Sequence, residues 1–431
     1  MSHRKLTILT VGTRGDVQPY IALGVALQKV GYQVKIATEA GFEEFVHEYG
    51  LDFAPLRADF MRMAQSAEGK AALAGKNKLS LMKQMGPMLR QIMDDAWSAA
   101  QGSDAIIYHP KALAGYHIAE KLAVPGFLAM MLPAYSPTRA FATPVLGAHH
   151  YGGLLNRFSY WLFLKAAMAP YRGLINSWRR EKLGLSPYRD DTVLHGEPVQ
   201  KLYAYSRQVV PIPVDWDDST HVTGYWVLPP SEWQPPERLR DFLAQGPAPV
   251  YVGFGSMAPQ DAERITRIVL EAARLAEQRV ILATGWGGLT SSEISDTLFV
   301  LESAPHDWLF PRCAAVVHHG GAGTTGAGLR AGKPTVICPF FGDQPFWGQR
   351  VAALGVGPRP IPQKKLTVEA LARAIHDATT DQEMQQRAQA IGERICAEDG
   401  MAEAISIISS KLNLLGKNSC QFVKFVAPIR H

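Results

Sequence analysis

Short apolar runs alternate along the chain with longer stretches whose apolar positions recur every three or four residues, the pattern of strands followed by helices. Leu6–Val11 reads as a strand, Gly12–Asp16 as a turn, Val17–Val30 as an amphipathic helix ending at Gly31, and Gln33–Thr38 as a second strand, which together make a βαβ unit. Asp104–Tyr108 and Val124–Met131 continue the strand pattern. A second series opens with Pro249–Phe254 and a helix over Gln260–Glu277. Strands at Val280–Thr284, Phe299–Leu301, Ala314–Val317 and Pro334–Cys338 follow, with a helix opening near Thr324. Helices near 367–378, 382–397 and 401–415 close the pattern. Between the two series, Pro211–Pro236 is rich in proline and tryptophan and breaks the helical period, as an interdomain linker does. The pattern predicts an α/β protein of two βαβ-rich lobes: 1–210, a linker at 211–236, and 237–395, with a last helix at 396–415 and a tail at 416–431. Gly75–Lys78 reads as a mobile loop.

Composition narrows the class without naming a chemistry. Of 431 residues, 47% are hydrophobic and 19% charged, which suits two well-filled cores and excludes a disordered or fibrous chain. The net charge of +5 is mild and no block of like charge appears, so the chain is not expected to bind nucleic acid. Cys313, Cys338, Cys396 and Cys420 lack Cys-x-x-Cys spacing, and no apolar run is long enough for a span or a leader, so a cytoplasmic setting is expected. Asp215-Trp216-Asp217 has the spacing of a metal-holding pair but sits in the linker, and no metal is predicted.

Two turns carry candidate chemistry. Residues that leave the carboxyl ends of parallel strands face the ligand cleft of such folds. After the strand at 314–317 come His318-His319-Gly320-Gly321-Ala322-Gly323-Thr324-Thr325, then Asp343-Gln344 beyond the next strand. The glycines admit close backbone approach and the following helix end offers N–H groups to an anion, most simply a diphosphate. His318 or His319 can donate to phosphate oxygens, while Asp343 and Gln344 offer an acceptor and a mixed amide to sugar hydroxyls. Phosphate followed by polyol points to a nucleotide sugar. At the other turn, Gly12-Thr13-Arg14-Gly15-Asp16 is not the Gly-x-Gly-x-x-Gly of a dinucleotide site, which counts against a nicotinamide oxidoreductase.

The run from His318 to Thr325, with Pro339-Phe340-Phe341-Gly342-Asp343-Gln344-Pro345-Phe346-Trp347, resembles the donor-binding signature of the family 1 UDP-glycosyltransferases, and within them the sterol 3-beta-glucosyltransferases. Gly12 to Pro19 is similar to the opening motif of the same group. The resemblance implies a GT-B fold, two Rossmann-like lobes facing a central cleft, with UDP-glucose as donor and a sterol or similar lipophilic alcohol as acceptor. It implies no metal or other cofactor. Thr13, Arg14, Ser256, His318, His319, Gly321, Ala322, Gly323 and Thr324 would meet the diphosphate, Ala304 and His306 the uridine, and Asp343 and Gln344 the glucose. It also implies that the last helix returns to the first lobe.

Sugar transfer to a hydroxyl needs a base for the acceptor proton. Asp16, at the helix start, is the best-placed carboxylate, and helix capping is its ordinary alternative role. His109, leaving the strand at 104–108, is the second candidate base or an acceptor contact. Tyr151–Arg180 mixes aromatic and apolar residues with Arg157, Lys165, Arg172, Arg179 and Arg180. Leu155, Phe158, Leu162 and Ala166 fall on one helical face, which reads as an acceptor-pocket wall, a surface resting on anionic lipid, or a helix pair packed on the domain. A non-sterol aglycone such as a polyketide, hopanoid or flavonoid, a GT-B nucleotide-sugar epimerase, and a non-catalytic nucleotide-sugar sensor are the alternative functions.

Overall fold

The structure is a computed structural model that describes residues 4–57, 78–147, 149–229, 233–255, 262–285 and 295–422, with the backbone alone at 78–84 and 414–422. Ser256 and most of the Gly75–Lys78 segment lie outside the described residues.

Each βαβ unit predicted from periodicity forms, because fully buried β-branched and leucine runs pair as parallel strands and the amphipathic stretches cover them. The first lobe has β1 (Lys5–Leu9), β2 (Gln33–Glu39), β3 (Asp52–Leu56), β4 (Ala105–Tyr108) and β5 (Gly126–Met130). A small hairpin, β6 (Val193–Leu194) and β7 (Glu197–Pro198), precedes β8 (Gln200–Tyr203) and β9 (Thr220–Val222). Seven of these make a parallel sheet in the order β3-β2-β1-β4-β5-β8-β9. Its helices are α1 (Arg14–Lys29), α2 (Glu43–Glu48), α3 (Lys78–Ala99), α4 (Gly115–Leu122), α5 (Gly153–Met168) and α6 (Arg172–Trp178).

The second lobe has β10 (Val250–Gly253), β11 (Val280–Ala283), β12 (Leu298–Leu301), β13 (Ala315–His318) and β14 (Thr335–Ile337) in the parallel order β12-β11-β10-β13-β14. Around it lie α7 (Glu237–Ala244), α8 (Ala262–Leu275), α9 (His306–Leu309), α10 (Ala322–Arg330), α11 (Gln344–Ala353), α12 (Val368–Thr380) and α13 (Gln382–Cys396). The strand order reverses between β1 and β4 in one sheet and between β10 and β13 in the other, and such switch points are where α/β sheets open a crevice.

One observation departs from the sequence reading, and a second decides among its alternatives. Thr220–Val222, inside the stretch read as a linker, is the edge strand β9, because an edge strand needs pairing on one side only and tolerates nearby proline. The face of α5 formed by Leu155, Phe158 and Leu162 points to solvent, while Asn156, Ser159 and Tyr160 are buried. The last helix, α14 (Gly400–Phe422), lies on the first lobe: Ala404, Ile408 and Leu412 join the core that holds Leu23 and Trp226. Tyr32 and Ser409 share a hydrogen bond of 2.9 Å. Among the described residues, no helix is long and apolar enough to cross a membrane.

Candidate active site

Leu9 of β1 stands in register with Tyr108 of β4, so the turns that follow these strands leave the sheet side by side. Gly12 has φ +134°, and a Cβ there would stand 2.3 Å from Asp16 Oδ2. Glycine at this position is what lets the Asp16 carboxylate fold back over its own turn. The Thr13 N–H donates to Asp16 Oδ2 (2.8 Å), as does the Thr13 hydroxyl (3.1 Å). Asp16 therefore does close the N-terminus of α1, in the manner of a capping box. Its other oxygen serves the cleft: Oδ1 accepts from Lys111 Nζ at 2.8 Å and lies 3.6 Å from His109 Nε2.

The charges at this turn are set by burial and by Lys111. Burial is the largest single effect and would raise the Asp16 pKa, but the Lys111 ammonium together with the hydrogen bonds from Lys111 and Thr13 holds the carboxyl below its ordinary value. His109 is buried, which pushes its pKa down to about 4. The ring is thus uncharged at neutral pH, and the cation that holds Asp16 ionised is Lys111 rather than His109. His109 Nδ1 accepts from the Lys111 N–H (3.1 Å), which assigns the ring proton to Nε2, on the side of Asp16. With Nδ1 occupied and Nε2 protonated, His109 has no free lone pair for an incoming hydroxyl. Lys111 is the residue the sequence reading missed. Its signal was its position, two residues past His109 on the same strand exit.

Across the cleft, Gly253 of β10 stands in register with His318 of β13, which brings the 254–255 and 319–323 turns together. His318 is fully buried, its Nδ1 accepts from the Gly320 N–H (2.9 Å), and its Nε2 has no hydrogen-bond partner among the described residues. The His319 ring lies between two glycine turns: a Cβ at Gly255 would stand 3.4 Å from its Cε1, and one at Gly321 2.6 Å from its Nε2. Its Nδ1 is likewise buried without a partner among the described residues, and burial pushes its pKa down to about 4. Helix α10 opens at Ala322 with Gly321 as N-cap, so the N–H groups of Ala322, Gly323 and Thr324 have no intrahelical acceptor. A Cβ at Gly323 would enter open space. Nothing within the fold demands glycine there.

Electrostatic interactions tie His306 and Asp343 of the second lobe to the Arg14–Asp16 turn of the first. His306 stacks on Phe310 (centroids 4.3 Å apart) with its edge on Tyr251, one residue beyond Pro305 and two beyond Ala304. Burial, then the Arg14 guanidinium and His319, push its pKa down to about 4. Arg14 itself belongs to the first lobe, where its Nε donates to Gln18 (3.0 Å) and its guanidinium sits 4.6 Å above the Phe45 ring. Asp343 Oδ2 accepts from Trp347 Nε1 (2.8 Å), and burial raises its pKa, with the Asp16 carboxylate adding to the effect from the opposite lobe. Gln344 differs from expectation. Its Oε1 accepts from the Phe340 and Phe341 N–H groups (2.7 and 3.2 Å), so the carbonyl braces the loop and only the amide NH2 is left for a ligand. Asp215 and Asp217 are engaged by Thr138, Arg139 and Ser219.

The chain matches two family profiles: the glycosyltransferase family 28 N-terminal domain over residues 6–141 and the erythromycin biosynthesis protein CIII-like C-terminal domain over 267–410. It is 42% identical over 425 residues to the sterol 3-beta-glucosyltransferase of Neosartorya fischeri and 43% identical over 425 residues to that of Emericella nidulans. Each alignment covers 94% of this chain, which spans only 29% and 30% of those relatives. In fold it is similar to the kitacinnamycin glycotransferase (TM-score 0.72, 20% identity, 95% of this chain and 100% of the other). It is also similar to the calicheamicin glycosyltransferase CalG4 (TM-score 0.68, 17% identity, 96% and 99%). Two parallel-sheet lobes, a glycosyltransferase family 28 N-terminal match, an erythromycin CIII-like C-terminal match and the similarity to solved glycosyltransferases agree on the two-lobed GT-B fold.

Proposed function

We propose that this chain transfers glucose from UDP-glucose to the hydroxyl of a sterol or similar lipophilic alcohol by a single displacement that yields a β-glucoside. The observation that carries the reading is a carboxylate, Asp16, folded back at the end of one sheet with Oδ1 on Lys111 Nζ (2.8 Å), near enough to Asp343 of the other lobe for the two charges to interact. A base on the acceptor side and a polyol-binding carboxylate on the donor side thus share one cleft. The acceptor assignment is supported by the similarity to the fungal sterol 3-beta-glucosyltransferases.

In this mechanism the acceptor oxygen attacks the anomeric carbon as its proton passes to Asp16 Oδ1. The new C–O bond forms while the bond to the β-phosphate oxygen breaks, and UDP leaves with the electron pair. His109, neutral and protonated on Nε2, positions the carboxylate rather than acting as a second base. The charge that grows on UDP meets His319, the open N–H groups at 322–324, Ser256, Thr13 and Arg14. His318 supports the turn from beneath. Ala304 and His306 receive the uracil, with the base against the His306–Phe310 stack, and Asp343 and the Gln344 amide hold glucose hydroxyls. No metal or other cofactor is given a role. The partners are then a nucleotide-sugar donor, a hydrophobic acceptor, and a membrane surface met through the 151–180 region.

UDP release from UDP-glucose, measured with and without sterols and other hydrophobic alcohols, tests the reading. Release that depends on a sterol supports it. Acceptor-independent release of an epimerised or free sugar would favour the epimerase, and UDP-glucose binding without any turnover would favour the sensor.

A further inference from the structure

Seven of the fourteen exposed large hydrophobic residues among those described fall between positions 146 and 162. Leu154 is 74% exposed, Leu155 60%, Phe158 53%, Trp161 53% and Leu162 54%, and Leu146 and Tyr151 flank them. At 100° per residue the five helical positions occupy an arc of about 120°, one continuous face of α5. The opposite face is polar and buried, which inverts the usual order. Asn156 Nδ2 donates to the Arg139 carbonyl (2.8 Å), Asn156 Oδ1 accepts from the Tyr151 N–H (2.9 Å), and Ser159 Oγ accepts from the Thr143 N–H (2.8 Å). These bonds fix the rotation of the helix, so the apolar face cannot turn inward without breaking them.

The charge around this face is predominantly positive, although Asp215 lies close enough to Arg157 to interact with it. From Lys121 to Arg180 the sequence contains no Asp or Glu. Arg157 and Lys165 are exposed on α5, Arg172 at the start of α6 and Arg180 in the helical segment that follows it. Lys165 Nζ lies 5.8 Å from the Trp161 ring, which in turn stacks on Phe158 at 5.4 Å. An apolar arc with tryptophan and tyrosine and with long cationic side chains around it is the composition that rests in the headgroup layer of an anionic bilayer. A second copy of this chain would bring the same cations to the same face and repel it.

We infer that this face of α5, with Leu146 and Tyr151, docks the protein on a membrane containing anionic lipid. Its inner side makes the position useful. Phe163 packs into the cluster that holds Phe346 and Trp347, and Phe141 meets Phe346 at 5.9 Å, so the docked helix adjoins the loop that carries Asp343. The docking rests on the patch itself; that it brings an acceptor alcohol from the bilayer toward the cleft rests on the lipophilic acceptor proposed above.

The test is flotation of the purified chain with vesicles of phosphatidylcholine alone and of phosphatidylcholine with phosphatidylglycerol, at low and high salt. Two exposed cations near the surface should raise partitioning onto the anionic vesicles by roughly 25-fold, and salt should reduce that gain. The double variant Leu155→Glu/Phe158→Glu should stay in solution at every composition while its turnover of a detergent-dispersed sterol stays within about twofold of wild type. Absence of wild-type flotation, or equal flotation of the variant, overturns the docking surface and leaves the transferase reading standing. A concentration-dependent dimer that the variant abolishes, without lipid binding, also overturns it and assigns the face to a second copy. Flotation without any glucosyl transfer would uphold the surface while the transferase reading fails.

Discussion

Replacing Asp16 by asparagine separates its two roles, because the structure divides them between its two oxygens. Oδ2 takes the Thr13 N–H and hydroxyl, and the oxygen of an amide can keep accepting both. Oδ1 faces Lys111, and there an amide can neither hold the ammonium nor accept a proton. The ion pair lost is half in solvent, with Lys111 56% and Asp16 19% exposed, so its removal should cost at most about 1 kcal/mol of stability. Loss of the base should slow transfer by roughly 10²- to 10⁴-fold, about 3 to 5 kcal/mol in the barrier. Rate should therefore fall far more than stability. The assay is steady-state UDP formation with a sterol dispersed in detergent, beside thermal unfolding and UDP affinity for the same variant. Fold and UDP affinity near wild type with kcat and kcat/KM reduced together is the expected outcome. Asp16→Ala is the weaker probe, since it also removes the helix cap, worth about 1 kcal/mol. Asp16→Asn retaining more than about a tenth of the rate would refute the assignment and leave Asp16 as a cap.

Other outcomes follow from the same geometry. Gly323→Ala adds a methyl group where the fold leaves open space, so the variant should melt no lower than wild type, helix propensity even favouring it by about 1 kcal/mol, while UDP affinity measured by calorimetry falls. Unchanged UDP affinity would place the diphosphate elsewhere. Lys111→Met removes the cation that holds the Asp16 carboxyl low, so the acid limb of the rate profile should move to higher pH; an unmoved limb would separate that titration from Asp16. His109, His306 and His319 are pushed by burial to about 4, and His117, by burial and Arg179, to about 3. Unfolded, each takes its proton near about 6.5, so this stability is intact above that pH and is lost as pH falls toward 4. The urea midpoint should accordingly drop between neutral pH and the folded-state values, and a flat profile would show that these rings are not held neutral.

Periodicity was enough to place the buried parallel strands, because a strand covered on both faces is written as a continuous apolar run, as in Ala315–Val317 and Val250–Val252. The two candidate turns were legible for the same reason, since a motif after such a strand must sit at the carboxyl edge. What periodicity cannot show is which atoms of a side chain are already engaged. Gln344 looked like a free amide until its carbonyl was seen bracing Phe340 and Phe341, and the Nδ1 of His109, read as a second candidate base or an acceptor contact, is taken by the Lys111 N–H. Lys111 carries no motif beyond its place two residues past His109, and its pairing with Asp16 becomes visible when β1 and β4 lie side by side. On α5 the apolar period was legible but its sense was left open, because the bonds of Asn156 and Ser159 decide which face turns inward.

The most direct test of the central claim is the configuration of the product formed from UDP-glucose and a sterol, read from the anomeric proton coupling in the NMR spectrum. In-line attack by a hydroxyl deprotonated at Asp16 inverts the anomeric centre once, so the α-linked donor must give a β-glucoside. An α-glucoside, or glucose released with no sterol conjugate, would contradict the account.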